Sequence, residues 1–458
     1  MSPGPAGPAP LHIAVGGPHP VPAGSGAYLC PGEAHPISQS VHYARLAAYF
    51  PNCRECVHRH DAGHLPQPIV EHRQHAGRRS TRGAPTADES IRGVYLNELT
   101  RPLAERYAAA FAELLWERHP LRARISRRTP ADSRARGPAV VIAQDDRPAA
   151  PDLLVGAAAS LRRMGCQVID VGQVSTPCFW SAVDHLRADG GMHVTGQGRG
   201  PAGIGFDFVE AGGIPWSRNG SLDRLEHLVT QPTRRTSRNG GSLRSFRVRV
   251  PYEAGLLKHF QSLRPLHVGV ACLASTVAPL LDELLTEIPC RLQRTVTPVA
   301  DDARAVSELA AGRLAEQVRE GGQQAGVLLG DDGQSCKLLD ERGIPVPTAA
   351  LALRLGERAL REAPSKTIVL DDALATDLDD AFAQLGGSVV RIRGSRENMA
   401  RSMASGDAVF GCDAADRFWF KDATPHCDAL ITLAKILHWL SNDSQSLSAL
   451  RNARSEAA

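Results

Sequence analysis

The sequence predicts an α/β protein of three consecutive α/β domains preceded by a small Cys/His-rich module. Short apolar runs alternate with amphipathic stretches in three successive blocks, the signature of largely parallel sheets covered by helices. A polar, basic stretch, Gln231-Pro-Thr-Arg-Arg-Thr-Ser-Arg-Asn-Gly-Gly241, separates the first two blocks, and cysteines and histidines crowd the segment from Cys30 to His64. At 458 residues the chain is too long for one core.

Taken in order, residues 1–24 are Pro-, Gly- and Ala-rich without periodicity and read as a disordered tail. Residues 25–70 form the Cys/His-rich module, with one helix expected from Ser38 to Tyr49, and 71–90 are a basic, polar linker. The first α/β block spans 91–230. It has strands at Ala139–Ala143, Gln167–Val171 and Gly191–Thr195, and helices at about 151–164 and 178–187. After the 231–242 linker, the second block covers 243–345. Its strands are His267–Ala271, Arg291–Val296 and Gly326–Leu329, with helices at about 252–263, 277–286 and 303–320. The third block, 346–445, has strands Thr367–Leu370, Ser388–Ile392 and Ala408–Phe410, and helices at about 348–362, 373–385 and 428–440. A tail, 446–458, follows.

Composition excludes several classes of function. The 52 basic and 49 acidic residues leave a net charge of +3, too small to require a nucleic-acid or membrane partner. Aromatic residues make up 5% of the chain, which argues against a base-stacking surface. The Arg-rich stretches Arg122–Arg136 and Arg234–Arg238 are therefore expected to be solvated loops rather than nucleic-acid sites. No apolar run approaches the roughly 20 residues of a membrane span, and the N-terminus lacks the charged and apolar regions of a signal peptide. The expected location is the cytoplasm. Ten cysteines in a chain of this length are no disulfide framework, and those outside the N-terminal cluster are expected to be small core residues.

Chemistry is concentrated in three loops. In the first block a strand ends in Gly191-Met-His-Val-Thr-Gly-Gln-Gly-Arg-Gly-Pro201, with Ala-Gly-Ile-Gly-Phe-Asp-Phe208 following. A glycine-rich turn at a strand end is where such a sheet presents groups to a ligand. The second block carries Gly330-Asp-Asp-Gly-Gln-Ser-Cys-Lys337, and the third Phe410-Gly-Cys-Asp-Ala-Ala-Asp-Arg417.

Together with Ile91-Arg92-Gly93 and Gln144-Asp-Asp-Arg147, these loops resemble those of the α-D-phosphohexomutases, the phosphomannomutase/phosphoglucomutase family. Thr195, Pro201, Gly203, Ile204 and Phe206 stand in matching places. The resemblance puts the family's phosphoserine position on Gln197 and its neighbouring histidine on Gly198. An amide cannot carry a transferable phosphoryl group. The three Mg²⁺-binding carboxylate positions fall on Gly330, Asp332 and Gln334, with Asp331 one place out of register, so magnesium is not expected to bind. The sugar-reading Glu, Ser and His fall on Asp413, Ala415 and Arg417, and alanine offers no hydrogen bond to a hydroxyl. The resemblance implies that Arg92, Thr195, Gln197, Arg199, Asp413 and Arg417 are the residues a ligand would meet. The Asp145/Arg147 pair is expected to brace loops. No counterpart of the family's fourth domain, with its phosphate-holding loop, is expected.

The N-terminal module is read from its ligands alone. Cys53-Arg-Glu-Cys56 has the spacing with which two thiolates bind one tetrahedral zinc, and Cys30 with His35 supplies a second pair. His42, His58, His60 and His64 compete for the fourth place. A segment this short buries little core, so a structural zinc would hold it together and make it a docking surface for a protein partner.

The function implied is that of a catalytically degenerate phosphohexomutase, a pseudoenzyme with a regulatory, scaffold or phosphosugar-binding role. The alternative is an active sugar-phosphate mutase, an isomerase that moves a phosphoryl group within one hexose in carbohydrate metabolism.

Overall fold

The computed structural model describes residues 27–31, 33–47, 50–54, 56–63, 65–66, 70, 86–125, 137–199, 203–234, 239–286, 288–297, 303–364, 366–423, 426–443 and 446–448. The expected tail at 1–24, most of the linker at 71–90, most of the tail at 446–458 and the Arg-rich residues 126–136 and 235–238 lie outside them. The chain divides into two compact units, Met1–Glu71 and His72–Ala458.

In the first unit, strands β1 (Ala27–Tyr28) and β2 (Ile37–Ser38) pair antiparallel, and a helix follows at Gln39–Ala47. A one-turn 3₁₀ helix at Pro51–Arg54 carries Cys53. Its small core is Tyr28, Cys30 and Cys56, with Ile37 packed against them.

The second unit contains three sheets. The first is built from β3 (Thr86–Ala87), β4 (Ser90–Val94), β5 (Ala139–Gln144), β6 (Gln167–Gln173), β7 (Gly190–Val194), β8 (Gly203–Glu210) and β9 (Leu243–Ser245), in the order β3-β4-β8-β7-β5-β6-β9. The second holds β10 (His267–Cys272), β11 (Arg291–Thr295), β12 (Ala325–Leu329) and β13 (Cys336–Leu339), ordered β11-β10-β12-β13. The third holds β14 (Thr367–Asp371), β15 (Ser388–Ile392), β16 (Ala408–Cys412) and β17 (Phe418–Phe420), ordered β15-β14-β16-β17.

All three sheets share one plan. A central strand is flanked by two parallel neighbours, and the chain returns from the third strand antiparallel: β7 into β8, β12 into β13, β16 into β17. Inner strands read as continuous apolar runs because both faces are covered; β12, Ala-Gly-Val-Leu-Leu, is buried throughout. One contiguous core runs through the sheets, including Val141 and Phe179, Val270 and Leu281, and Phe410 and Leu433. The helix Ala429–Asn442 has ten buried residues, and Asp428 caps it by accepting from the N–H groups of Leu430 and Ile431 at 2.8 and 3.4 Å.

Several elements depart from the sequence expectation. The 25-residue helix Arg101–Ile125 and the helices Ser221–Val229 and Arg396–Ala404 are additional to it. Leu243–Ser245, expected to open the second domain, instead pairs with β6 at the edge of the first sheet. Three exposed residues are too few to show a strand period. The helix expected at 373–385 is shorter, Asp377–Gln384. Among the described residues, no helix is long and apolar enough to cross a membrane.

Candidate ligand cleft

The three loops singled out in the sequence occupy equivalent places, each between the last parallel strand of its sheet and the antiparallel return. Each is folded back on itself by its own side chain. Thr195 Oγ1 accepts from Gln197 N at 3.2 Å, Asp332 Oδ1 from Gln334 N at 2.8 Å, and Asp413 Oδ1 from Ala415 N at 2.9 Å. These are Asx- and ST-type turns, in which a short polar side chain replaces a backbone partner. Asp332 and Asp413 accept further from Ser335 N and Arg417 N. Their carboxylates are engaged by their own loops.

In the first domain, Asp145 and Arg147 hold the glycine-rich loop from below. Asp145 accepts from Gly196 N at 2.7 Å, and the Arg147 guanidinium donates to the carbonyls of Gly196, Arg199 and Gly203. A Cβ on Gly196 would lie 2.1 Å from the Gly203 carbonyl oxygen, so glycine is required for this approach. Gly198 takes a φ of +75°, the left-handed region open to glycine. Gln197 is half-buried. Its Oε1 accepts from Thr176 Oγ1 at 2.6 Å, and its carbonyl accepts from Arg92 Nε at 3.2 Å. Behind Thr176 lies His193, whose Nδ1 is 3.4 Å from the threonine hydroxyl; burial lowers the pKa of this imidazole and favours its neutral form. Thr195 is fully buried and Arg199 is exposed.

The second-domain loop reaches the first through Asp331, whose carboxylate accepts from Gly198 N at 2.8 Å. Burial, then the neighbouring Asp332, raises the Asp331 pKa. Gln334 is 1% exposed and faces Cys427. The loop also meets the third domain: Ser335 forms a β-bridge with Arg417, and Cys336 N donates to Asp416 O. Asp331, Asp332 and Gln334 thus point at three different partners. Among the described residues no group of three or more His, Cys, Asp or Glu is placed to hold a metal ion as it stands.

Arg92, Arg396 and Arg417 are already paired. Along β8, Phe206 and Phe208 turn to Tyr107 and Phe111, while Asp207 between them turns to the opposite face. There it meets Arg92 Nη2 at 2.7 Å and Arg396 Nη1 at 3.4 Å. Arg396 also pairs with Glu89 at 2.9 Å, Arg417 Nη1 with the same Glu89 oxygen at 3.0 Å, and Arg417 Nε with Asp413 at 2.6 Å. Burial works against the charge of Asp207, but Arg92 and then Arg396 hold its carboxyl below the usual range. A buried charge persists only when paired in this way.

Thr195, Gln197, Arg199, Asp331, Asp332, Gln334, Asp413 and Arg417 therefore lie in three loops that meet one another, and Arg92, on β4, contacts the first of them through Gln197. In the N-terminal unit, Cys30, Cys53 and Cys56 are all buried. His35 is exposed; the imidazole beside Cys30 is that of His42, fully buried, with Nδ1 4.0 Å from Cys30 Sγ. His64 lies outside the described residues.

Sequence reasoning missed Glu89, Thr176, Asp207 and Arg396. Asp207 left a signal, since an acid between two phenylalanines in an apolar strand must find a partner when buried. Arg396 left none, because it opens a helix whose sequence, Arg-Glu-Asn-Met-Ala-Arg-Ser-Met-Ala, reads as solvent-facing.

The fold and cleft define a multidomain α/β protein whose three meeting loops come from repeated units of one plan. Residues 86–234 match the family described as phosphoglucomutase/phosphomannomutase, alpha/beta/alpha domain I. The chain is 24% identical over 378 residues to phosphohexose mutases of Xanthomonas campestris pv. campestris, covering 80% of this chain and 78% of the relative. It is also 24% identical to a phosphoglucomutase/phosphomannomutase of Thermococcus kodakarensis, covering 79% and 78%. The crystal structure of a phosphoglucomutase/phosphomannomutase family protein from Burkholderia thailandensis superimposes with a TM-score of 0.68 at 22% identity, over 80% of this chain and 78% of that one. The chain is thus similar to phosphoglucomutases and phosphomannomutases, and its first domain matches their domain I.

Proposed function

We propose that this protein is a catalytically degenerate α-D-phosphohexomutase that acts as a regulatory, scaffold or phosphosugar-binding protein. The observation that carries the reading is Gln197. It stands where the resemblance puts the nucleophile, and its amide is tied to Thr176. Covalent phosphoryl transfer needs a hydroxyl, thiol, carboxylate or imidazole. The row from His193 through Thr176 ends on an amide oxygen that can accept a hydrogen bond but cannot pass a proton on. Two further observations support the reading. Asp331 and Asp332 are directed at backbone N–H groups rather than at a common centre. The guanidiniums of Arg92, Arg396 and Arg417 face carboxylates of the protein itself, so a phosphate would have to compete for them.

The test is a mutase assay with mannose and glucose 1- and 6-phosphates, supplied with bisphosphate activator and Mg²⁺. The expected result is no interconversion and no phosphoryl adduct on residues 195–199. Turnover with stoichiometric phospho-Thr195 would establish the active mutase instead. A rise in melting temperature with a sugar phosphate separates a ligand binder from a scaffold, because only a ligand of the native state stabilises it.

A further inference from the structure

The described residues of the N-terminal unit bury too little hydrocarbon to hold themselves together. Its core cluster consists of Tyr28 and two cysteines, with Ile37 against them, and Leu46, Cys53 and His42 are the other buried side chains among its described residues. Units of this size fold with disulfides, a metal or a partner. Three of its buried groups are thiols and one is an imidazole, all of which are zinc ligands.

We infer that Cys30, His42, Cys53 and Cys56 form a structural zinc site, with His42 rather than His35 as the imidazole ligand. Cys30 Sγ and Cys56 Sγ are 3.7 Å apart. Two thiolates at about 2.3 Å from a tetrahedral zinc are separated by about 3.8 Å, whereas a disulfide needs about 2.05 Å. Cys53 comes from the 3₁₀ turn just before Cys56, and a Cys-x₂-Cys turn brings both thiolates to one ion.

His42 is set up as a ligand by its surroundings. Its Nε2 is 2.9 Å from the carbonyl oxygen of Asp61, an atom that can only accept, so the proton sits on Nε2 and the lone pair on Nδ1. That Nδ1 is the atom facing Cys30. Tyr28 stacks on the ring at 3.9 Å and 9°, and its hydroxyl donates to Asp61 Oδ2 at 2.5 Å, so one residue's backbone and side chain orient both rings. Metal-binding histidines are held in this way, with the second ring nitrogen donating to a carbonyl or carboxylate. The ligands have not closed on one centre. The Cys30–His42 gap of 4.0 Å exceeds the tetrahedral sulfur–nitrogen edge, about 3.6 Å, by about 0.4 Å, a movement that metal binding would supply.

The test uses the full-length protein, purified under reducing conditions. Elemental analysis should give about one zinc per chain. Against a competing chelator His42→Ala should lose the metal at least tenfold more readily, while His35→Ala behaves as wild type and His42→Cys retains it. Should His42→Ala fold poorly, cobalt exchanged into the wild type still reports the ligands: tetrahedral bands, with sulfur-to-metal charge transfer of three thiolates. Zinc far below one per chain with no cobalt uptake, a spectrum of two thiolates, metal loss on His35→Ala with retention on His42→Ala, or a metal-free protein with a Cys30–Cys56 disulfide would each overturn the site.

Discussion

Arg396 and Glu89, 307 residues apart in sequence, form an ion pair at 2.9 Å that ties the third domain to the first. The same helix adds Glu397, which accepts from Ser217 Oγ at 2.6 Å, and Arg401, which pairs with Glu210 at 2.7 Å. Removing Arg396 leaves Glu89 with Arg417 and Asp207 with Arg92, so the cost is that of the lost charged hydrogen bonds, about 1.5–3 kcal/mol, rather than that of an uncompensated buried charge. Arg396→Met should therefore lower unfolding stability by about that much, measured by urea denaturation. A change below about 0.5 kcal/mol, the size of a surface substitution, would show the pair to be dispensable.

The same carboxylate sets an acid dependence. Burial would raise the pKa of Glu89, but Arg396 and then Arg417 hold it below the ordinary value. A carboxyl lowered in the folded state contributes stability that is present above the unfolded value, about 4.3, and is lost as pH falls through the folded value. The melting temperature should fall as pH drops below about 5, and Glu89→Gln should flatten that part of the curve. Equal slopes for the two proteins would contradict the assignment.

Restoring a hydroxyl should not restore chemistry. In Gln197→Ser the serine would face Thr176, while Asp331 still occupies the Gly198 N–H and Asp332 still caps its own loop. No metal centre is thereby created. The variant is expected to remain without mutase turnover or phosphoserine in a coupled assay with mass analysis; detectable turnover would mean that the remaining cleft is catalytically intact.

Asp331→Ala removes the hydrogen bond from the second-domain loop to Gly198. Amide exchange at Gly198 should accelerate while the β7 amides stay protected. Calorimetry should find no micromolar Mg²⁺ site in either protein. Such a site in the wild type, lost in Asp332→Ala, would show that the acidic loop binds metal.

Much of this arrangement was legible. The helices at 303–320 and 348–362 followed from apolar periodicity alone, and the three loops stood out because glycines and acids interrupt apolar strands. The antiparallel return of β13 was not legible: Cys-Lys-Leu-Leu is too short to carry a period. Nor were the partners of the arginines, since an ion pair across 307 residues depends on how domains pack. His35 matched the ligand spacing as well as His42 did. Only the first turn of the helix Gln39–Ala47, which turns His42 inward, separates them.

The bond between Gly198 and Asp331 makes the cleft its own competitor. An anion arriving at that amide must first displace a resident carboxylate, and its observed affinity is its intrinsic affinity reduced by the fraction of molecules in which the amide is free. Protonating Asp331 weakens the incumbent, so occupancy by an anion and uptake of a proton would rise together. By reciprocity, whatever anion binds there also loosens the second domain's loop from the first. On the proposed reading, a protein that transfers no phosphoryl group would still report the presence of an anion through the spacing of its domains.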